Sequence, residues 1–555
     1  MRDRDSQGML PGFAPPVPPP PPPIIKSPTV EQTAIIDRIQ SGSGHILVEA
    51  LAGAGKTSTI IASLAVSTAE RVLLTSFGKE IVKTLEARMP KPPKRRVWQA
   101  KTLHRAGIGV LRSYGWKPEP DDTAGGIHED ASERLVNDVA DTIAEIVTED
   151  KRHERPLWFE LPFAVGTDKA LISDEIRRAA CDLLHHWKDT RLPDEINIDA
   201  IDDDEDQLDA FDNIAAKEED ITRTIARFAY LMGARLDRTK IDFHDMIWLP
   251  LVLDLAPKWP FDLVFVDEGQ DLNRPQFEFA LRLMKPDGRL VVVGDLHQSM
   301  YGWRGAVGDE VWAAMCAMGA VTMPLTVSFR CARSIVEVAN ELVHKLRACD
   351  GAPLGKIHSC TFTRMIEGLP TTTINSFVLS RNNAALFETA IQLWRRNAVF
   401  SFSKGEELAK GLHALIKHLV LKDVESFLKS LTEWHEKAVA KAKEKSALSK
   451  IDRINQRRDT LLALLKCTEP RGLHALLQRL TSSRDAIVKL ATVHGTKGLE
   501  ADRVYLLRET FARYHERSAD QEPIPQEELN IEYVAITRAK RELVWVDLGD
   551  LDERK

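Results

Sequence analysis

An α/β fold built on parallel sheets is what this sequence predicts, and three stretches carry the expectation. The apolar run Ile46 to Val48 is short enough for a buried strand; it stops at the small-residue loop Ala50-Leu51-Ala52-Gly53-Ala54-Gly55-Lys56-Thr57 and passes into a helical pattern over Ser58 to Leu64. A second buried strand, Asp262 to Val266, runs directly into the carboxylates Asp267 and Glu268. Farther on, Ile374 to Leu379, Val504 to Leu507 and Glu542 to Val546 supply the strands of a second sheet.

The first stretch is a phosphate-binding loop. Small residues let successive backbone N–H groups from Ala52 to Ser58 turn onto an anion at the positive end of the following helix. Lys56 would reach the β- and γ-phosphates, and Thr57 would ligate Mg²⁺. Ala50 stands where the usual first glycine of the motif would be.

Length and composition bound the rest. At 555 residues the chain exceeds one core, and ~100–200 residues per domain gives about three or four units. It is 43% hydrophobic and 28% charged, a globular balance, and no apolar run reaches the ~18 residues of a membrane span. The N-terminus lacks a basic-then-apolar signal, so a cytoplasmic location is expected. Cys181, Cys316, Cys331, Cys349, Cys360 and Cys467 are scattered without a C-x-x-C pair, against a zinc site or disulfide frame. A net charge of −7 supplies no global attraction to nucleic acid, so any such binding must use a local groove.

In chain order, residues 1–27 hold Pro18 to Pro23 and almost nothing to bury, which reads as a solvated polyproline tail or a ligand for an aromatic groove. Pro28 to Gln32 opens an amphipathic helix with Ile35, Ile36 and Ile39 on one side. Gln32, 24 residues ahead of Lys56, has an amide suited to one purine edge. Arg71 to Phe77 is another buried strand, followed by Gly78-Lys79 and a helix; the basic run Lys91 to Arg96 is a solvated loop or a phosphate-backbone contact. Residues 116–239 are acidic and helical in pattern, as in Ile201 to Asp206, and read as an insertion. Asp267, at a strand end, can hold a Mg²⁺ water shell, and Glu268 can polarise the attacking water. After the strand Arg289 to Val293 comes Gln298, a polar sensor candidate, and then Tyr301, Trp303 and Arg304 on a glycine-bearing loop. Those aromatics either stack unpaired bases, at ~1–3 kcal/mol per base, or anchor a core.

Taken together these segments resemble the superfamily 1 helicases of the UvrD/Rep type, in a compact form similar to F-box-helicase-like and phage members. Further segments fit that pattern. Ser76-Phe77-Gly78-Lys79 is similar to the family's A-F-N-K, with Gly78 for asparagine, and Thr102-Leu103-His104 is similar to T-x-H. Leu325 to Arg330 resembles the N-Y-R motif with Ser328 and Phe329 substituted, keeping an aromatic that could stack on adenine. Thr492 to Glu500 matches T-x-H-x-x-K-G-L-E, and Glu527-Glu528 with Tyr533 to Ala539 matches the last motif, with Asn530 where many relatives carry arginine.

The resemblance implies two RecA-like P-loop domains with parallel sheets, each interrupted by a helical insertion, with ATP between them. The first would comprise 28–115 and 240–324 around an insertion at 116–239; the second, 325–420 and 484–555 around a short helical insertion at 421–483 that includes Trp434 to Leu465. It places Arg330 and Arg538 on the γ-phosphate from the second domain, Arg538 as an arginine finger, and Glu500 on the ribose. It implies single-stranded DNA and single/double-strand junctions as substrate, with Phe77, Lys79, Thr102, His104, Tyr301, Trp303, Arg304, Thr492 and His494 along the strand. ATP and Mg²⁺ are the expected cofactors, the state monomeric, with room for a protein loading partner and no membrane. The activity implied is ATP-driven translocation with 3′–5′ unwinding. A clamp that binds single strands under ATP control and unwinds little is the alternative, because the second insertion is short for the family.

Overall fold

The computed structural model describes residues 27–76, 78–116, 131–148, 174–190, 225–226, 229–230, 241–300, 306–403, 405–444, 448–481, 486–514 and 523–549. The proline-rich stretch, the acidic run Ile201 to Asp206, Phe77 and the segment Tyr301 to Arg304 lie outside them.

Six strands form the first sheet: β1 Ile46–Ala50, β2 Arg71–Ser76, β3 Val97–Ala100, β4 Phe261–Asp267, β5 Met284–Gly294 and β6 Val321–Leu325. Their order is β3-β2-β4-β5-β1-β6, all pairs parallel. The central strands β2, β4 and β1 are apolar on both sides because helices cover both faces, the condition under which a parallel sheet is stable. On one face Val48, Val72, Phe265 and Val293 pack against Ile35, Ile60 and Leu64 of the helices Val30–Ser41 and Lys56–Val66. On the other, Leu47, Leu73, Val264 and Val292 meet Leu103, Phe277 and Trp312.

A two-stranded ribbon, β7 Val327–Ser328 with β8 Arg347–Ala348, follows the first sheet. The second sheet holds β9 Lys356–Thr361, β10 Ser376–Ser380, β11 Phe400–Phe402, β12 Val488–Thr492, β13 Ala501–Leu507 and β14 Ala539–Asp547, in parallel order β11-β12-β10-β13-β14-β9. The architecture is thus the expected one, two parallel sheets in an α/β chain. Strand limits differ: the run expected at Ile374 starts at Ser376, and the one expected over Arg289 to Val293 begins at Met284.

The helices that lie between the strands in sequence share cores with the helices that cover the sheets. Val136, Leu183 and Trp187 pack on Leu111, Trp116 and Trp248, fastening the helices Ala131–Thr148 and Asp174–Thr190 to Leu103–Ser113 and Asp245–Val252. In the second half, Phe427, Leu461, Leu464 and Leu477 enter one cluster with Val378, Leu386, Phe387 and Leu490 of the sheet and its flanking helix. The helical stretch Trp434 to Leu465 is two helices, Val424–Glu444 and Leu448–Leu465.

Candidate functional site

The loop between β1 and the helix Lys56–Val66 is set by two glycines. Gly53 and Gly55 have φ of 72° and 80°, in the left-handed region where a side chain is strained. A Cβ on Gly53 would meet Ser328 Oγ at 2.6 Å and Arg330 Cβ at 2.7 Å, so the segment after β6 lies directly on the loop. The Phe329 amide donates to the Gly53 carbonyl at 2.9 Å. Ala52 and Ala54 are buried. Ser58 has its hydroxyl occupied by Arg88 Nη2 at 2.9 Å, leaving its backbone amide for an anion.

Lys56 Nζ sits 3.1 Å from Glu268 Oε2, and Gln270 Nε2 donates to the same oxygen at 2.7 Å. Glu268 has φ 58°, strain of the kind that persists where surrounding structure over-determines a functional residue. Thr57, at the start of the helix Lys56–Val66, is near enough for its hydroxyl to oppose the rise in the Asp267 carboxyl. Burial and the neighbouring Glu268 push Asp267 up to about 7. Burial opposes ionisation of Glu268 too, but the ammonium groups of Lys56 and Lys497 outweigh it and hold the carboxyl at about 2. The site therefore keeps one firm carboxylate beside one that ionises readily only when a further cation arrives.

Gln32 and Phe329 converge beside Gly55: a Cβ there would meet Gln32 Nε2 at 3.0 Å and the Phe329 ring at 3.7 Å. Phe329 is 49% exposed, a free face for stacking. Gln32 Oε1 already accepts from the Thr29 amide in a capping box at the start of its helix. The helix cap thus engages the oxygen, and Nε2 is the end of the amide turned to the loop.

The second half reaches this site through several side chains. Arg330 Nε donates to Glu500 Oε2 at 2.8 Å, and Lys540 pairs with the other oxygen at 2.6 Å, so Glu500 is held by two cations. Arg538 is buried and donates to the carbonyls of Val534 and Leu499 and, at 3.3 Å, to Gln298 Oε1 of the first half. Gln298 Nε2 donates in turn to Asp295 Oδ2 at 2.6 Å. Sequence reasoning missed three more cross-links. The Ala52 amide donates to Tyr533 Oη at 3.0 Å; Lys497 Nζ donates to both Asp271 oxygens at 2.6 Å; Asn530 Nδ2 donates to the carbonyls of Leu296 and Ser299. Asn530, at a position where many relatives carry arginine, thus serves as an uncharged strut.

Burial raises Asp271 to about 6 despite the opposing Lys497 ammonium. A carboxyl with a folded value above its unfolded one contributes stability below the unfolded value and loses it as pH rises through about 6. Replacing Lys497 by methionine removes the cation that lets Asp271 ionise. The variant is expected to lose up to about 3 kcal/mol at pH 8 and clearly less at pH 5, read from urea midpoints. A loss equal at both pH values would show that the contact is not an ion pair.

The nucleic-acid candidates are placed unevenly. Lys79 is exposed at the start of the helix Lys79–Arg88. Thr102 is an N-cap whose hydroxyl accepts from the Arg105 amide, and His104 is buried and stacked on Phe243 at 3.7 Å, its imidazole held at about 4 by burial. Both side chains have partners within the fold. Thr492 ends β12, and His494 is half-buried, lowered to about 4 by burial and by Arg381, with Met300 backbone beside it. Phe77, Tyr301, Trp303 and Arg304 fall outside the described residues.

Two parallel sheets, a glycine loop at the end of one strand and cationic side chains arriving from the other sheet define a P-loop protein of the two-lobed kind. Residues 31–312 match the UvrD/REP helicase N-terminal domain and residues 406–546 the UvrD-like helicase C-terminal domain; the chain belongs to the UvrD/Rep helicase family. It is 24% identical to F-box DNA helicase protein 1 of Schizosaccharomyces pombe over 94% of this chain and 58% of that protein. It is 32% identical to DNA helicase II of Escherichia coli over 25% of this chain and 20% of that one, and 30% identical to ATP-dependent DNA helicase PcrA of Leuconostoc citreum over the same shares. The chain thus spans little more than half of the fission-yeast relative and a fifth of the two bacterial ones. Among the described residues, no helix is long and apolar enough to cross a membrane.

Proposed function

We propose that this protein is an ATP-dependent single-stranded DNA translocase and 3′–5′ DNA helicase, hydrolysing ATP between its two lobes to step along and unwind DNA. The observation that supports it most directly is the seating of the second lobe on the phosphate loop: Phe329 bonded to Gly53, Tyr533 to Ala52, Arg330 against Gly53. The domain division read from the sequence, 28–115 with 240–324 and 325–420 with 484–555, belongs to the same proposal.

In this reading the loop amides and Lys56 bind phosphates, Phe329 and Gln32 hold the adenine, and Glu500 faces the ribose. Thr57 and Asp267 offer hard oxygen donors at a helix N-terminus, and a carboxyl raised to about 7 gains from a cation, so the residues fit Mg²⁺. The ion, when bound, neutralises charge on the phosphate oxygens. Lys56 exchanges Glu268 for phosphate, which releases the carboxylate from its ion pair and makes it a stronger base toward water. Arg330 and Arg538 stabilise negative charge from the far side. Gln298, bonded to Arg538, links that side to the first lobe three residues ahead of Tyr301 in sequence. Loss of the γ-phosphate removes the anion that the arginines held, and the lobes relax against a strand lying across both.

The test is ATP turnover with single-stranded DNA, with RNA and with no polymer, followed by strand displacement on 3′- and 5′-tailed duplexes. Unwinding only from 5′ tails would reject the polarity; no polymer stimulation would reject the motor. Trp303→Ala is expected to weaken single-strand affinity by about 10-fold in a fluorescence titration, the size of one lost base stack. Unchanged affinity returns Trp303 to the core. The clamp reading draws support from the helices Val424–Glu444, Leu448–Leu465 and Leu473–Thr481, which share a core with the second sheet and so do not stand free as an unwinding arm. DNA-stimulated turnover without duplex opening would favour it.

A further inference from the structure

Ser76, the last residue of β2, is fully buried, and its Oγ has no hydrogen-bond partner among the described residues. Buried hydroxyls are nearly always paired, so an orphan at a site's edge calls for a partner from outside the chain. Its position says which. β2 runs parallel to β4 with Ser76 opposite Asp267. Side chains alternate along strands, and Val72 and Leu74, with Leu263 and Phe265 of β4, pack on the face covered by Ile60 and Leu64 of the helix Lys56–Val66. Ser76 and Asp267 continue those two rows, on the same face and at the same carboxyl edge. Two other orphaned hydroxyls differ in place. Thr75 falls on the opposite face by the same alternation, and Ser63 lines a small, mostly apolar cavity with Ile35, Ile39 and Val291.

We propose that the Ser76 hydroxyl holds the water shell of the magnesium ion that Thr57 and Asp267 would carry. It is a positioning residue one strand outward from the carboxylate. The inference rests on the ATP-site reading above and names a residue that reading does not use. Magnesium gives up its waters reluctantly and binds through few protein ligands, so its shell needs outer hydrogen-bond partners. Asp267 cannot supply them all, because Oδ1 already accepts the Glu268 amide. A hydroxyl can accept from a metal-bound water or donate to one, and Ser76 has both capacities unused.

The experiment compares wild type, Ser76→Ala and Ser76→Thr, using Mn²⁺ as a paramagnetic probe with a non-hydrolysable ATP analogue. Mn²⁺ affinity of the nucleotide complex is expected to fall about 10-fold in the alanine variant and to return with threonine. Nucleotide affinity in EDTA is expected to be the same in all three. Wild-type Mn²⁺ affinity in Ser76→Ala overturns the proposal while leaving the ATP site standing. An equal loss of nucleotide affinity with and without metal also overturns it, showing a damaged strand end. Failure of the wild type to bind the analogue at all overturns the site reading, and this inference with it.

Discussion

Lys56→Ala is expected to lower ATP turnover by about 10³-fold or more while the protein stays folded. The ammonium is the one side-chain cation placed on the loop itself, 3.1 Å from Glu268, and removing it takes away both its hold on phosphate and the partner that fixes the base. Fold retention follows from the charges left behind. Glu268 and Asp267 would sit together without Lys56, but Asp267 already holds a proton up to about 7 and Lys497 still lowers Glu268, so one proton relieves the repulsion. The lysine stem also lines a small cavity with Ile35, Val48, Ile60 and Phe265, so Lys56→Met keeps the packing and isolates the charge. Turnover by coupled assay and melting by circular dichroism check both variants. DNA-stimulated turnover persisting in either of them would remove the loop from the chemistry.

The phosphate loop was legible in the sequence because its chemistry requires contiguous small residues at fixed spacing between a strand and a helix. The carboxylate pair was legible for a similar reason, sitting at the end of an apolar run. The contacts Tyr533–Ala52 and Lys497–Asp271 were not, because they join residues 481 and 226 positions apart, and no local period reports such pairings. The capping role of Gln32 did have a signal, the Thr29-x-x-Gln32 spacing ahead of an apolar run. Several strands are not legible: β3 has four residues, and β9 has no buried residue along its length, so neither shows the continuous apolar run of a central parallel strand. His104 shows the limit of reading from resemblance, since a matched motif marks a position without saying that its ring is stacked beneath Phe243.

Arg538→Ala is expected to slow hydrolysis by about 10³-fold while changing nucleotide affinity only a few-fold. Burial, reinforced by Arg330, brings the guanidinium down to about 9, so its charge is poorly accommodated as the site stands and is stabilised by an anion appearing across the cleft. Its bond to Gln298 Oε1 places it on the first lobe, where Glu268 acts on it electrostatically. The same residue has a structural share, since Nε and Nη1 satisfy the carbonyls of Val534 and Leu499, and alanine leaves those two acceptors unpaired. Arg538→Lys separates the two roles: it keeps a cation but cannot make the same fork of bonds, so its single-turnover rate should fall well below wild type even where melting is unchanged. Single-turnover hydrolysis and nucleotide titration on all three proteins decide the matter. A folded Arg538→Ala whose rate lies within tenfold of wild type would leave Arg538 without a part in the chemistry.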